Sequence, residues 1–225
     1  MSNQALDVML NFFLFTAAEF PRNTDTITEA DILTYLLASD NNNDHITSIL
    51  SRYHEVAPFL RPLSVIPHEH RIESRIVSPF RAAIGSYLLG NHAAAIAMCG
   101  SVCESFTCLL YHLTVHHATG CLPSKTKADA FERLNQRDRI EVLLLLGRID
   151  DNQRNILIRV IGKRNAYLHT FSNVPADEHG DAMNCIKDTS KALLTIFECQ
   201  FEKGAVRFRP GVLEFLQQSK ASKKA

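Results

Sequence analysis

The side chains best suited to chemistry stand together in one short stretch, Arg164-Asn165-Ala166-Tyr167-Leu168-His169. Histidine exchanges protons near neutral pH, so His169 is suited to act as an acid or a base. The guanidinium of Arg164 stays charged and presents donors that match a phosphate or a carboxylate. The amide of Asn165 can hold a neighbouring hydroxyl or imidazole in one orientation. Together these residue types suit proton transfer beside a bound anion.

The stretch falls late in a helix that the pattern predicts from about Asp151 to Phe171. At about 100° per residue, Arg164 lies in the middle of an apolar arc, whereas Asn165 and His169 lie on its flank. An unpaired guanidinium is costly to bury, so Arg164 requires an acidic partner, a subunit interface or an anion. The apolar arc consists of Ile156, Leu157, Val160, Ile161, Tyr167 and Leu168.

The pattern R-N-x-x-x-H on a late helix of a helical chain resembles the signature of the HEPN superfamily, which includes many metal-independent ribonucleases. A small-residue helix ending in Ser101-Val102-Cys103-Glu104 and the run Ile158–Gly162 before the motif are similar to a bacterial subgroup of that family. The resemblance covers about residues 68–202. The sequence departs from the subgroup at Gly100, where an arginine often stands. It also has Phe171 where some HEPN toxins carry a modifiable tyrosine.

The resemblance implies a metal-independent endoribonuclease in which the 2′-OH of RNA attacks the adjacent phosphorus, with no cofactor. His169 would act as general base or acid, Arg164 would hold the phosphate, and Asn165 would orient the 2′-OH or the imidazole. One motif supplies one imidazole, whereas both an acid and a base are needed. HEPN enzymes meet this need by pairing two motif helices, so we expect a homodimer.

Four further residues are expected to support this site. Glu104 stands in an otherwise apolar helix and is the expected carboxylate partner of Arg164 or Lys163. Arg154 and Arg159 belong to a stretch that contains no acidic residue from Asn152 through Ala176, which predicts a basic patch that binds RNA. The family resemblance alone suggests a toxin or antiphage setting, with an antitoxin or regulatory protein as a partner.

Two other interpretations stay open. The chain could be a non-catalytic HEPN module that binds a protein or a nucleotide, or a plain helical adaptor in which the hexapeptide is accidental. In either case Arg164 would pair with Glu104 for structure, and His169 would be a helix-terminal residue favoured by the helix dipole.

Composition predicts an all-α protein. The 225 residues include only nine glycines and eight prolines, and 46% are hydrophobic, which is enough for a core. We expect a four- to five-helix up-and-down bundle at 67–203, preceded by an acidic helical extension at 1–66 and followed by a basic tail at 204–225. The boundary near residue 66 is set by Pro58, Pro62 and Pro67, because proline interrupts helices.

Cysteine usage and charge narrow the functional classes. The six cysteines form no CxxC pair, which is typical of reduced thiols in a cytoplasmic protein. The histidines His68, His70, His112, His116 and His117 have spacings that occur in metal sites, but no further ligands stand near them, so we expect no metal. The 24 basic and 24 acidic residues balance, and the apolar run near the N-terminus is too short to span a bilayer, so we expect no membrane partner.

Overall fold

The computed structural model describes residues 42–60, 72–169, 177–197, 200–202 and 205–207. The chain divides into two compact units, Met1–Ser51 and Arg52–Ala225. The first unit is described only from Asn42, where helix α1 (Asn42–Val56) begins. The N-terminal part of the expected acidic extension and the expected short helix near residues 212–218 lie outside the described residues.

Helix α2 (Ser78–Leu88) follows a π-helical turn at Glu73–Val77 without a break. The sequence Ser78-Pro79 predicts that Ser78 caps this helix, and that prediction is wrong because Ser78 is itself helical and no side chain caps the start. The predicted apolar stripe is confirmed, since its residues are at most 4% exposed. The stripe consists of Phe80, Ala83, Ile84, Tyr87 and Leu88.

A tight turn joins α2 to the central helix α3 (His92–Thr119), as expected. Gly90 has φ 81°, a left-handed conformation that favours glycine, and its amide donates to the carbonyl of Tyr87 at 2.9 Å. Asn91 caps α3, because its side-chain oxygen accepts from the amide of Ala94 at 3.2 Å.

The apolar periodicity over about 127–148 predicts one continuous helix. The structure instead has two helices there, α4 (Lys125–Arg133) and α5 (Gln136–Leu145). The backbone becomes extended at Leu134, with ψ 144°. Asn135 then begins the new helix by accepting from the amide of Asp138 at 2.9 Å. The side chain of Asn135 bonds a backbone amide of the following turn, which favours a helix start at this position over a helix interior. Apolar periodicity does not detect such a polar interaction.

Helices α6 (Asp151–His169) and α7 (Glu178–Phe197) complete the bundle. Helix α3 packs against α2, α6 and α7, and α6 packs against α7. Two three-residue strands, β1 (Gln200–Glu202) and β2 (Ala205–Arg207), follow and pair antiparallel, with Phe201 opposite Val206. With seven α-helices among the described residues, the predicted all-α fold is confirmed.

Helix α3 is, within the described part of the chain, the one helix long and apolar enough to cross a membrane by length and composition. The central helix of a folded bundle passes the same test, and half of its most apolar window is buried inside the protein. Its early turns contain small residues, and these allow α6 to approach closely at Gly100.

Candidate functional site

Helix α6 carries the R-N-x-x-x-H motif on its last turns, and its first turn is fixed by a capping box. The side chain of Asp150 accepts from the amide of Gln153 at 2.7 Å, and the Gln153 side chain accepts from the amide of Asp150 at 2.8 Å. The buried face consists of Ile156, Leu157, Val160 and Ile161, each at most 8% exposed. Because this face packs within a single chain, its burial does not require a second subunit.

Arg164 points from this face towards α3 and pairs with Glu104. The distance from Nη1 of Arg164 to Oε1 of Glu104 is 2.9 Å, and their side chains are 25% and 35% exposed. The sequence predicts that Glu104 pairs with Arg164 or with Lys163, and in the structure its partner is Arg164. The pair lies at the edge of the core and is open to solvent on one side.

The stem of Arg164 crosses α3 at Gly100. A Cβ atom at position 100 would lie 2.7 Å from Cγ of Arg164 and 3.0 Å from its Cβ and Cδ. Any side chain at that position would collide with the arginine, so only glycine permits this path. Gly100 and Glu104 are one helical turn apart on α3, and together they fix where the guanidinium lies.

The hydrogen-bonding capacity of Arg164 is only partly used. Its Nη1 donates to Glu104, whereas its buried Nε has no hydrogen-bond partner among the described residues. Guanidinium groups have five N–H donors and bind oxyanions through two of them at once. The donors of Arg164 that remain for an anion beside the Glu104 pair are therefore on its terminal Nη atoms and not on the buried Nε.

Asn165 lies about 100° around α6 from Arg164 and is exposed. Position 169, where α6 ends, falls about 40° from Asn165 around the helix axis. The side chain of His169 lies outside the described part of the structure. Gly162 is on the same exposed face, and no atom lies within 4 Å of a Cβ built on it.

The basic residues of α6 all have acidic partners. Arg154 bonds Glu141 at 2.8 and 2.5 Å, and Arg159 bonds Asp188 at 3.0 and 3.1 Å. The Nζ atom of Lys163 lies 2.7 Å from Asp181. The basic patch expected from the sequence is therefore paired with carboxylates that α5 and α7 bring from distant parts of the sequence. The assignment of Arg154 and Arg159 to RNA binding stays a prediction.

Asp181 on α7 anchors the last turns of α6 through two residues. Besides Lys163, it accepts a hydrogen bond from the hydroxyl of Tyr167 at 3.1 Å. The pKa of Tyr167 is raised above its usual range. Burial of the phenol is the larger cause, and the hydrogen bond to the Asp181 carboxylate is the second. Lys163 and Tyr167 are four residues apart, so Asp181 holds one face of the motif helix against α7.

The buried thiols are neutral packing groups. Burial raises the pKa of Cys103 and Cys185 to about 12, and raises the pKa of Cys99 as well. The Sγ atom of Cys103 lies 4.0 Å from the hydroxyl oxygen of Thr189. Within the described ranges, no three His, Cys, Asp or Glu side chains are placed to hold a metal ion, whereas His68 and His70 lie outside those ranges.

A polar cluster that the sequence analysis did not identify joins α1, α2, α3 and α7. The hydroxyl of Tyr87 donates to Glu55, and Nε2 of His179 lies 2.9 Å from the same carboxylate and 3.2 Å from that hydroxyl. The ring of His92 lies 5.2 Å from that of His179, and burial lowers the pKa of His92. Tyr87 lies 32 positions from Glu55 and 92 positions from His179, so no local pattern links the cluster.

The fold and this site define the chain as an all-helical protein whose motif arginine is held by a carboxylate beside solvent. Comparison with protein-family models, with curated proteins and with solved structures finds no match. The resemblance to the HEPN superfamily therefore rests on the R-N-x-x-x-H motif and its helical setting alone, and it stays a prediction.

Proposed function

We propose that this protein is a metal-independent endoribonuclease that cleaves RNA through attack of the 2′-OH on the adjacent phosphorus. The observation that carries the proposal is the arrangement of Arg164. A guanidinium that is fixed by Glu104 and Gly100, yet a quarter exposed and with unused donors, is suited to hold a phosphate. A purely structural pair needs no such opening to solvent.

The chemistry assigns one role to each motif residue. Arg164 stabilises the negative charge that develops on the non-bridging oxygens of the phosphorane. His169 takes the proton from the 2′-OH, or donates one to the departing 5′-oxygen. Asn165 orients the 2′-OH or the imidazole. Base and acid are both required, so two chains supply one imidazole each, and the enzyme works as a homodimer in the cytoplasm.

The test is cleavage of single-stranded RNA by the purified protein. Arg164→Ala and His169→Ala should each reduce cleavage about 100-fold or more, because a charge clamp and a general acid or base contribute at least that much. Arg148→Ala, on the loop before α6, serves as a control for loss of a positive charge away from the motif. The helical signal in circular dichroism should be unchanged in all three variants.

The products distinguish this reaction from metal-dependent hydrolysis. Attack by the 2′-OH leaves a 2′,3′-cyclic phosphate and a 5′-hydroxyl, so EDTA should not inhibit and an all-deoxy substrate should stay intact. A requirement for Mg²⁺, or cleavage of DNA, would contradict the proposal. The biological setting follows the family resemblance: a toxin or antiphage effector, with an antitoxin or regulatory protein as its partner.

The second candidate is a non-catalytic module that binds a protein or nucleotide partner. It is favoured by the ion pairs of α6, because Arg154, Arg159 and Lys163 all face carboxylates. If Arg164→Ala and the wild-type protein both leave RNA intact under all conditions, this candidate replaces the ribonuclease.

A further inference from the structure

An open groove of about 440 Å³ lies beside the Arg164–Glu104 pair. It is bounded by the π-helical turn and Ile72 before it, by α3, by the end of α4 at Glu132 and by the start of α5 at Arg139. Ile72, Ile76 and Leu109 contribute apolar surface to it. Volumes of about 300–1,000 Å³ are typical of small-molecule sites, so the groove can receive one nucleotide unit.

The groove shares a carboxylate with the candidate active site. Glu104 lines it, and the same Glu104 accepts the hydrogen bond from Arg164 at 2.9 Å. A ligand in the groove is therefore separated from the motif arginine by a single side chain. Any nucleotide bound there would be close to a phosphate held by Arg164.

Two guanidinium groups line the groove without an acidic partner among the described residues. Arg139 is held in place, because it donates to the carbonyl oxygens of Leu134 and Glu132 and to the side chain of Gln136. Arg75 is exposed, and its donors bond no atom in the described ranges. The groove therefore contains one fixed positive charge and one unused guanidinium fork.

A carboxylate with unused acceptors faces the same space. Glu132 lines the groove and is exposed, and its carboxylate makes no hydrogen bond or ion pair within the part of the chain that the structure describes. The thiol of Cys108 lines the same groove, and Nη1 of Arg139 lies 3.7 Å from its sulfur. Burial raises its pKa, and the charges of Arg139, Glu132 and Arg75 then shift it in alternating directions.

We propose that this groove binds a guanine base of single-stranded RNA next to the scissile phosphate, which rests on the proposed ribonuclease function. Guanine presents two acceptors, O6 and N7, that match the fork of Arg75. On its Watson–Crick edge it presents N–H donors that match the carboxylate of Glu132. Adenine and cytosine lack a ring N–H donor on that edge, and uracil lacks the N7 acceptor. The apolar side of the groove covers the face of the base.

The test is binding of guanosine and of the four nucleoside 5′-monophosphates to the full chain. Binding is measured by the shifts of amide signals in NMR spectra. Guanosine and GMP should shift amides of α3 and α5 at concentrations up to about 5 mM, and about tenfold more tightly than AMP, CMP or UMP. Arg75→Gln and Glu132→Gln should each weaken GMP binding about tenfold. Arg81→Gln and Asp129→Asn, which remove like charges outside the groove, should not change it.

Three results overturn the guanine site: no binding of guanosine at about 5 mM, equal affinity for all four nucleotides, or displacement of GMP by inorganic phosphate alone. The last would mean a phosphate site, because phosphate lacks the base edge. Circular dichroism identifies variants that lose the fold. If both variants do, the preference of the wild-type protein among the four nucleotides tests the guanine site by itself.

An RNA cleavage assay distinguishes the proposed guanine site from the proposed ribonuclease function. With a mixed-sequence RNA, the wild type should cut mainly beside guanines, and Glu132→Gln should lose that preference. Arg164→Ala should abolish cutting but still bind guanosine. Guanosine binding without any cleavage would refute the ribonuclease and leave the site standing. Cleavage that depends on Arg164 but shows no base preference would refute the site and leave the ribonuclease.

Discussion

The position of Arg164 depends on Gly100, a residue without a side chain. Sequence reasoning predicts that this arginine needs a partner, because a charge on an apolar face is costly to leave alone. It also identifies Glu104, the one carboxylate in the apolar stretch of α3. It does not identify Gly100, because the glycine matters only through the path of the arginine stem between two helices. That path is a property of packing and leaves no local signal.

Gly100→Ala should destabilise the protein by about 1–3 kcal/mol, because the new methyl group would overlap Cγ of Arg164 at 2.7 Å. Gly162→Ala is the matched control, since nothing lies within 4 Å of its Cβ. That variant should gain about 0.5–1 kcal/mol from better helix propensity. Urea unfolding measures both changes.

A double-mutant cycle attributes the effect to the arginine. If the collision with Arg164 is the cause, Gly100→Ala should cost much less in the Arg164→Ala background than in the wild type. Equal costs in both backgrounds would show that Gly100 is needed for another reason, such as close approach of the two helix backbones.

The buried thiol of Cys103 makes stability sensitive to alkaline pH. Burial raises its pKa from 9.0 to about 12, so the folded state favours the neutral thiol. The stabilisation from this group is complete below about pH 9 and is lost as pH rises towards 12. Cys103→Ala should therefore reduce the loss of stability by up to about 1.4 kcal/mol per pH unit in that window.

Urea unfolding at pH 7, 9, 10 and 11 measures this slope. Cys121→Ala, which removes an exposed thiol, is the control and should leave the slope unchanged. If Cys103→Ala has the same pH slope as the wild type, Cys103 is not the group that titrates.

At the scale of elements, periodicity located the helices, and local polar chemistry decided where they end. The stripe of α2 and the glycine turn into α3 follow from residues a few positions apart, so the sequence predicts them. The break at Leu134-Asn135 and the helical Ser78 depend on competing hydrogen bonds, so they were predicted incorrectly. The acidic partners of Arg154 and Arg159 lie 13 and 29 residues away on other helices, beyond any local pattern.

Asp181 should control the order of the motif helix. It accepts from Tyr167 and pairs with Lys163, so Asp181→Asn weakens two contacts on successive turns of α6. Amides of the last two turns of α6 should exchange with solvent about tenfold faster, which corresponds to a local loss of about 1.4 kcal/mol. Hydrogen exchange followed by mass spectrometry measures this change.

The control for this variant is Asp188→Asn, which removes the partner of Arg159 one to two turns earlier on α6. It should leave the last two turns protected. A uniform increase of exchange over α3, α6 and α7 in Asp181→Asn would instead indicate that the whole bundle is destabilised.

At the scale of the whole molecule, the fold removes one of the two reasons to expect a dimer. The apolar arc of α6 suggested that a second subunit covers it, but α3 and α7 of the same chain cover most of it. Leu168 is the exception, because it is 49% exposed beside the motif. The expectation of a dimer now depends on the need for two imidazoles and on the exposed end of α6.

We therefore expect the wild-type protein to be a dimer at micromolar concentration, with Leu168 in the interface. Leu168→Glu should give a monomer that no longer cleaves RNA, because a buried unpaired charge opposes association. Leu145→Glu is the control: Leu145 is 86% exposed at the end of α5, and its variant should stay dimeric and active. Light scattering during size-exclusion chromatography measures the mass. If the wild type is monomeric and still cleaves RNA, the composite site is wrong and both proton transfers must be made by one chain.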